Sequence, residues 1–191
     1  MLEKIKESTA FIQKMIDFKP EFGIILGTGL GDLVNDIDIK HTISYDKIPH
    51  FPVSTVESHA GRLVFGVLGN KKVVAMQGRF HYYEGYSFQE ITFPVRVMKF
   101  LGIERLFVSN ACGSVNPDIH TCDIMIISDH INLLGGNPLR GKNIDELGPR
   151  FPDMSEPYDR EMVNKAEDIA RGLNFGDIKV HTAVYASVQR P

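Results

Sequence analysis

Phe22-Gly23-Ile24-Ile25-Leu26 is a continuous apolar run that stops at Gly27-Thr28-Gly29-Leu30-Gly31-Asp32. A run this short with no polar alternation reads as a strand covered on both faces, the kind found inside α/β sheets. The glycines straight after it allow backbone N–H groups and the Thr28 hydroxyl to come close to a ligand, best an anion. The loop is not a dinucleotide fingerprint, because Asp32 stands where the last glycine would be. It is not a P-loop either, because no Gly-Lys-Ser/Thr follows.

The same junction recurs twice. Arg62 to Leu68, Gly69-Asn70 and Lys71 to Met76 predict a β-hairpin, whose second strand delivers Gln77-Gly78-Arg79-Phe80-His81-Tyr82-Tyr83-Glu84-Gly85-Tyr86. An Arg and a His two residues apart can converge on one anion, the Arg through its planar fork. Arg105 to Ser109 predicts another strand, running into Asn110-Ala111-Cys112-Gly113-Ser114. Two small-residue loops with Arg79 and His81 can surround a phosphate. A plain surface turn is the alternative for each motif taken alone.

The remaining elements fit an α/β chain with a mixed, twisted sheet. Residues 2–18 predict an amphipathic helix, stopped by Lys19-Pro20. Residues 33–60 are polar and turn-rich, with an irregular extended segment at Ile48 to Pro52. Ser87 and Glu90 form a capping box for a helix that carries Phe93, Val97, Phe100 and Leu101 inward and ends at Gly102. Pro94 predicts a kink or a late start. Asp123 to Ser128 predicts a strand, residues 135–158 a long loop, Asp159 to Leu173 a helix with Met162, Ala166 and Ile169 on one face, and Val180 to Val188 a strand.

The 191 residues carry 21 Lys and Arg against 24 Asp and Glu, with no basic run, which argues against a nucleic-acid surface. No apolar run reaches membrane-spanning length and the N-terminal residues do not resemble a signal peptide. Cys112 and Cys122 lack metal-type spacing and read as reduced thiols of a cytoplasmic protein. The seven histidines show no ligand spacing, so no metal is expected.

Taken in order, these motifs resemble the trimeric purine nucleoside phosphorylases over the whole chain. The matching stretches include Gly27 to Gly31, Ser58-His59-Ala60-Gly61, Gly78-Arg79-Phe80-His81, Asn110-Ala111-Cys112-Gly113, Asp129-His130-Ile131-Asn132, Asn137-Pro138-Leu139 and Arg150-Phe151-Pro152. Methylthioadenosine phosphorylases resemble it less, having Arg-His-Gly near Arg79. The resemblance implies a three-layer α/β sandwich around a mixed, partly barrel-like sheet, with residues 1–191 as one domain, incomplete at its C-terminal end. It implies phosphorolysis of purine nucleosides with phosphate as co-substrate and no cofactor. Thr28, His59, Arg79, His81 and the Ala111 N–H are then phosphate ligands, with His81 the catalytic residue. Tyr83 is a ribose contact, and Phe151 reaches the sugar site of a neighbouring subunit in a homotrimer. The base-binding residues of that family have no counterpart within this chain, so a non-catalytic phosphate- or pentose-phosphate-binding or assembly role is the alternative. Cys122 stands where the family commonly has glycine, which puts the local turn in question.

Overall fold

The computed structural model describes residues 1–27, 29–53 and 61–188, so Thr28 and His59 lie outside the described residues. The chain forms two compact units, Met1–Ala111 and Cys112–Pro191.

In the first unit, α1 spans Leu2–Met15 and buries Ile5, Ser8, Thr9 and Ile12, a stripe at helical spacing. It ends three residues earlier than the apolar pattern predicts, because Ile16 is already extended (φ −129°, ψ 144°) ahead of Pro20. Ile16 is buried all the same, so the pattern marked burial correctly but not helix. Then come β1 (Phe22–Ile25), β2 (Asp38–Ser44), β3 (Arg62–Leu68), β4 (Lys71–Gln77), α2 (Phe88–Leu101) and β5 (Arg105–Val108). The sheet order is β2-β3-β4-β1-β5, with β1 parallel to both β4 and β5, and β3 antiparallel to β2 and β4. The sheet is therefore mixed, as the sequence implied, and it is open rather than closed into a barrel.

Four successive residues of β3 (Leu63 to Gly66) and four of β4 (Val73 to Met76) are buried, which requires cover on both faces. On one face Ile24, Leu26, Val64, Val73 and Ala75 pack with Val34 and Ile37, delivered by a 3₁₀ segment at Gly31–Asp36 and the residue after it. On the other face α2 comes down on β1. A Cβ at Gly23 would sit 2.7 Å from Ile103 Cδ1 and 3.5 Å from Met98 Sδ. Burying each of these aliphatic side chains stabilises the fold by about 1.5–3 kcal/mol.

The hairpin turn is the one the sequence predicted, with both Gly69 (φ 54°) and Asn70 (φ 66°) left-handed as a primed turn requires. The Ser87–Glu90 capping box is present, and Gly102 closes α2 at φ 108°. The helix starts at Phe88 and runs on through Pro94, so the late start predicted from Pro94 does not occur. Met98 takes a buried place, whereas Phe100 is only half-buried. Strand β2 lay hidden in the stretch read as polar and turn-rich. A register shift between Ile39 and His41 breaks its alternation, leaving Ile43 as its one buried residue.

In the second unit, β6 (Ile124–Leu133) and β7 (Val180–Val188) form a parallel pair, linked through α3 (Arg160–Gly172), which contacts both. Strand β6 continues five residues past Ser128, through Asp129-His130-Ile131-Asn132, across a register shift between Ile127 and Asp129. The Asp159 carboxylate caps α3 by accepting from the Met162 N–H at 2.9 Å. The face of α3 that packs inward differs from the one predicted: Met162, Val163 and Glu167 are half-buried, while Ala166 and Ile169 are exposed. Thr182 of β7 donates to the Glu167 carboxylate, which holds that face in place.

The turn before β6 is tied by one carboxylate. Asp123 accepts from the backbone N–H of His120 and of Lys179, both at 2.9 Å, and lies 3.0 Å from His181 Nε2. These bonds, the His120 N–H foremost, hold its carboxyl at about 2. Cys122 adopts φ 75°, a left-handed conformation that suits glycine. The turn therefore forms with cysteine in it, at a conformational cost. Both thiols are free and exposed.

Candidate functional site

The β4 strand ends at Gln77, and Gly78 turns the chain at φ 94°. A Cβ there would lie 3.3 Å from Gly61 Cα. Beneath this turn is an aromatic support. The buried Tyr45 donates its hydroxyl to the Gly78 carbonyl at 2.7 Å, and its ring lies 5.4 Å from Phe80 and 5.6 Å from Phe51. Phe51 meets Phe93 of α2 edge-on at 5.8 Å, and Phe80 meets Tyr86 at 5.3 Å. Burial pushes the Tyr45 phenol up, so it stays a neutral donor. Gly61 has no Cβ because the Tyr45 ring occupies that space. The loop carrying Arg79 and His81 is thus anchored on packed core on both sides of Arg79.

Arg79 reaches from the β4 end towards the β5 end. Its Nη1 donates to the Ser109 carbonyl at 2.6 Å and its Nε to His81 Nε2 at 3.1 Å. The other imidazole nitrogen, Nδ1, faces the Glu84 carboxylate at 2.5 Å. The imidazole thus lies between a guanidinium on one side and a carboxylate on the other. The Tyr83 ring stacks on the His81 ring at 4.8 Å and 21°, and Tyr83 is 65% exposed.

Ser109 joins this group to the glycine loop after β1. Its hydroxyl accepts the Gly27 N–H at 2.9 Å, and its carbonyl lies 2.7 Å from where a Gly27 Cβ would be. Only glycine lets the two strand ends approach so closely. The Gly27 N–H is therefore used inside the protein, so any ligand contact from that loop must come from residues beyond it. Ala111 is exposed, two residues past Ser109 on the same loop.

The structure thus brings Arg79, His81 and Tyr83 together and sets the loop of Ala111 against Arg79. Phe151 belongs to the second unit and is 86% exposed, with the Arg150 guanidinium 5.8 Å from its ring centre. Arg150 in turn donates to the Leu139 and Gly141 carbonyls at 2.9 and 2.8 Å, bracing the long loop. Two contributors escaped the sequence reading. Glu84 is not among the expected site residues, although its spacing of three from His81 is a usable signal for a contact across one turn. Ser109 gave no signal, because Arg79 meets its backbone carbonyl and its hydroxyl bonds to the backbone of a strand distant in sequence. Among the described residues no group of three or more His, Cys, Asp or Glu is placed to hold a metal ion. No helix among them is long and apolar enough to cross a membrane.

Comparison with known proteins identifies the family. The family model for the phosphorylase superfamily matches residues 21–191. The chain belongs to that superfamily. It is 51% identical to purine nucleoside phosphorylase 1 of Bacillus subtilis over 191 residues, covering 100% of this chain and 69% of that protein. It is 50% identical to the purine nucleoside phosphorylase of Bos taurus, over 86% of this chain and 58% of that one. Among solved structures, isoform 2 of the Schistosoma mansoni purine nucleoside phosphorylase, in complex with cytosine and ribose-1-phosphate, superposes with a TM-score of 0.92 at 45% identity. That match covers 99% of this chain and 67% of the Schistosoma protein. The chain therefore spans between a little over half and about two thirds of the length of these relatives.

Proposed function

We propose that this chain carries the phosphate and pentose ends of a purine nucleoside phosphorylase site, and acts in converting a purine (deoxy)ribonucleoside and phosphate to free purine and (deoxy)ribose 1-phosphate. The observation that supports this best is the Arg79 fork held between His81 and the Ser109 carbonyl. It bridges the C-terminal ends of β4 and β5, on either side of β1, where α/β sheets take their ligands. The chain around it is half identical to proteins named for that reaction.

In this reading Arg79 and His81 hold phosphate, with Thr28, His59 and the Ala111 N–H completing its shell. Tyr83, stacked on His81 and exposed, forms a wall of the sugar site. As the glycosidic bond breaks, positive charge grows on the sugar, and a phosphate dianion fixed below C1′ serves as both nucleophile and countercharge. Positioning and electrostatics then supply most of the catalysis, with His81 as a hydrogen-bond donor. No cofactor or metal takes part. The exposure of Phe151 supports a homotrimer in which this ring reaches a neighbour's sugar site. Residues 1–191 belong to a single nucleoside phosphorylase domain in a cytoplasmic enzyme, with no role at nucleic acid or membrane.

Phosphate-dependent release of hypoxanthine from inosine by the purified chain tests this directly. The expected result is release that requires phosphate and falls at least a hundredfold in Arg79→Ala, as loss of a main oxyanion-type contact does. Phosphate binding without any turnover would instead support the non-catalytic binding role.

A further inference from the structure

We infer that Ser109 is a positioning residue for the anion, its hydroxyl locking the end of β5 to the end of β1 and so setting where the Arg79 guanidinium and the Ala111 N–H stand. The inference rests on the reading of Arg79 and Ala111 as phosphate ligands, and deepens it. The regular pairing of β1 with β5 stops at Ile25 opposite Val108. One residue further on, Ser109 continues the join with both its backbone and its side chain. Its N–H donates to the Ile25 carbonyl at 3.2 Å, and its hydroxyl donates to the same carbonyl at 3.3 Å. The hydroxyl oxygen also accepts the Gly27 N–H at 2.9 Å. On the other side of β1, the Leu26 N–H donates to the Met76 carbonyl of β4 at 3.3 Å. The chain leaving β1 is thus held from both neighbours, and on the β5 side the bond to Gly27 comes from a side chain.

What the hydroxyl fixes is the peptide unit that follows it. The Ser109 carbonyl lies 2.7 Å, and Asn110 Cα 3.2 Å, from where a Gly27 Cβ would be, so the two chain ends are in close contact. That carbonyl accepts from Arg79 Nη1 at 2.6 Å, which makes it the stop against which the guanidinium rests. Ala111 is next but one along the same chain. One hydroxyl therefore sets ligands from the ends of β4 and β5 against the glycine loop that follows β1. It does so with its single donor and an acceptor lone pair, both in use. Alanine keeps the backbone bond to Ile25 but leaves the Gly27 N–H without its partner. The strand ends can then part, and the stop for Arg79 moves with them. A small misplacement of binding groups is enough to weaken their grip on a ligand. Threonine keeps the hydroxyl, and its branched side chain suits the end of a strand.

Calorimetric titration of inorganic phosphate into the full chain and its variants tests this, with stability read in parallel by urea unfolding. Ser109→Ala is expected to bind phosphate about tenfold more weakly, and Ser109→Thr to bind it as the unmodified chain does. Val97→Ala opens a fully buried site in α2, and should lower stability without changing phosphate affinity. Where Ser109→Ala does not fold, Ser109→Cys takes its place, because a thiol is a weaker acceptor at the same position, and a several-fold loss is expected. Unchanged affinity in Ser109→Ala, or in Ser109→Cys used in its stead, would overturn the inference while leaving the anion site in place. So would a Ser109→Thr as weak as Ser109→Ala, because the hydroxyl would then not be the cause. An equal loss in Val97→Ala would also overturn it, by making the effect one of general stability. If the unmodified chain binds no phosphate, the anion-site reading fails and the positioning role fails with it.

Discussion

The two units of this chain are built to very different depths. The first contains side chains sealed from solvent, among them Ile5, Leu63, Val64, Phe65 and Met98, each 0% exposed. In the second, no described residue from Cys112 to Val188 is buried. Its β6–β7 pair is longer than β1 or β5, yet Ile131, Leu133, Val184 and Val188 all stand more than half exposed. What holds it is polar and local: strand pairing, the Asp123 clip, the Asp159 cap, and the Arg150 bracing of the long loop. Backbone pairing alone stabilises little, because water offers the same bonds to the open strands. The comparison teaches that secondary structure and core are separate achievements. It also shows where rigidity is available to chemistry. Arg79 and His81 sit in the unit that has a core, on a turn propped by Tyr45 and Phe80, and a preorganised anion site needs such support.

Truncating the core of the first unit should break it most visibly. Phe65→Ala is expected to cost about 3–5 kcal/mol, read by urea unfolding followed at the aromatic near-ultraviolet signal. A loss below about 1 kcal/mol would mean that this core is not the source of stability. Next in size is the difference between the units themselves. Amides of β6 and β7 should exchange with deuterium well before those of β3 and β4, and equal protection in the two pairs would erase the contrast drawn above.

Smaller changes sharpen the comparison within each unit. Tyr45→Phe removes the donor to the Gly78 carbonyl and should destabilise the first unit by about 1–2 kcal/mol, with weaker phosphate binding as the Arg79 turn loosens. Cys122→Gly relieves a left-handed cysteine and should stabilise the second unit by about 1 kcal/mol, seen as slower exchange in β6. The Asp123 clip gives the second unit an acid limit. Its carboxyl is held at about 2, below the ordinary carboxylate value, so its stabilising effect is present at neutral pH. That effect should fade as pH falls from about 4 through about 2, and Asp123→Asn should abolish the fading.

Much of this was legible in the sequence, for reasons that differ by residue. The β3–β4 hairpin announced itself because two apolar runs flank Gly69-Asn70, whose side chains tolerate the left-handed turn. The α2 boundaries were legible because Ser87, Glu90 and Gly102 do the capping they are suited for. Strand β2 was illegible because an edge strand with a bulge buries only Ile43 and shows no period. The extension of β6 was hidden because Asp129-His130-Ile131-Asn132 is polar and faces solvent on a strand with no core behind it. At the site, Arg79, His81 and Tyr83 could be read because their chemistry is in their side chains. Ser109 could not, because the group that Arg79 meets is its carbonyl, which any residue has, and only folding brings its hydroxyl to the Gly27 N–H. Glu84 fell between: its side chain does the work, but only folding shows that it faces His81 Nδ1 rather than solvent.

The account stands or falls on Arg79 as the anchor of an anion site. Calorimetric titration of phosphate into the full chain and into Arg79→Ala, at equal ionic strength, measures that most directly. The account predicts binding by the unmodified chain and a loss of about a hundredfold in the variant, the scale of a charge-assisted pair removed from a partly buried site. Equal phosphate affinity in the two proteins would contradict it.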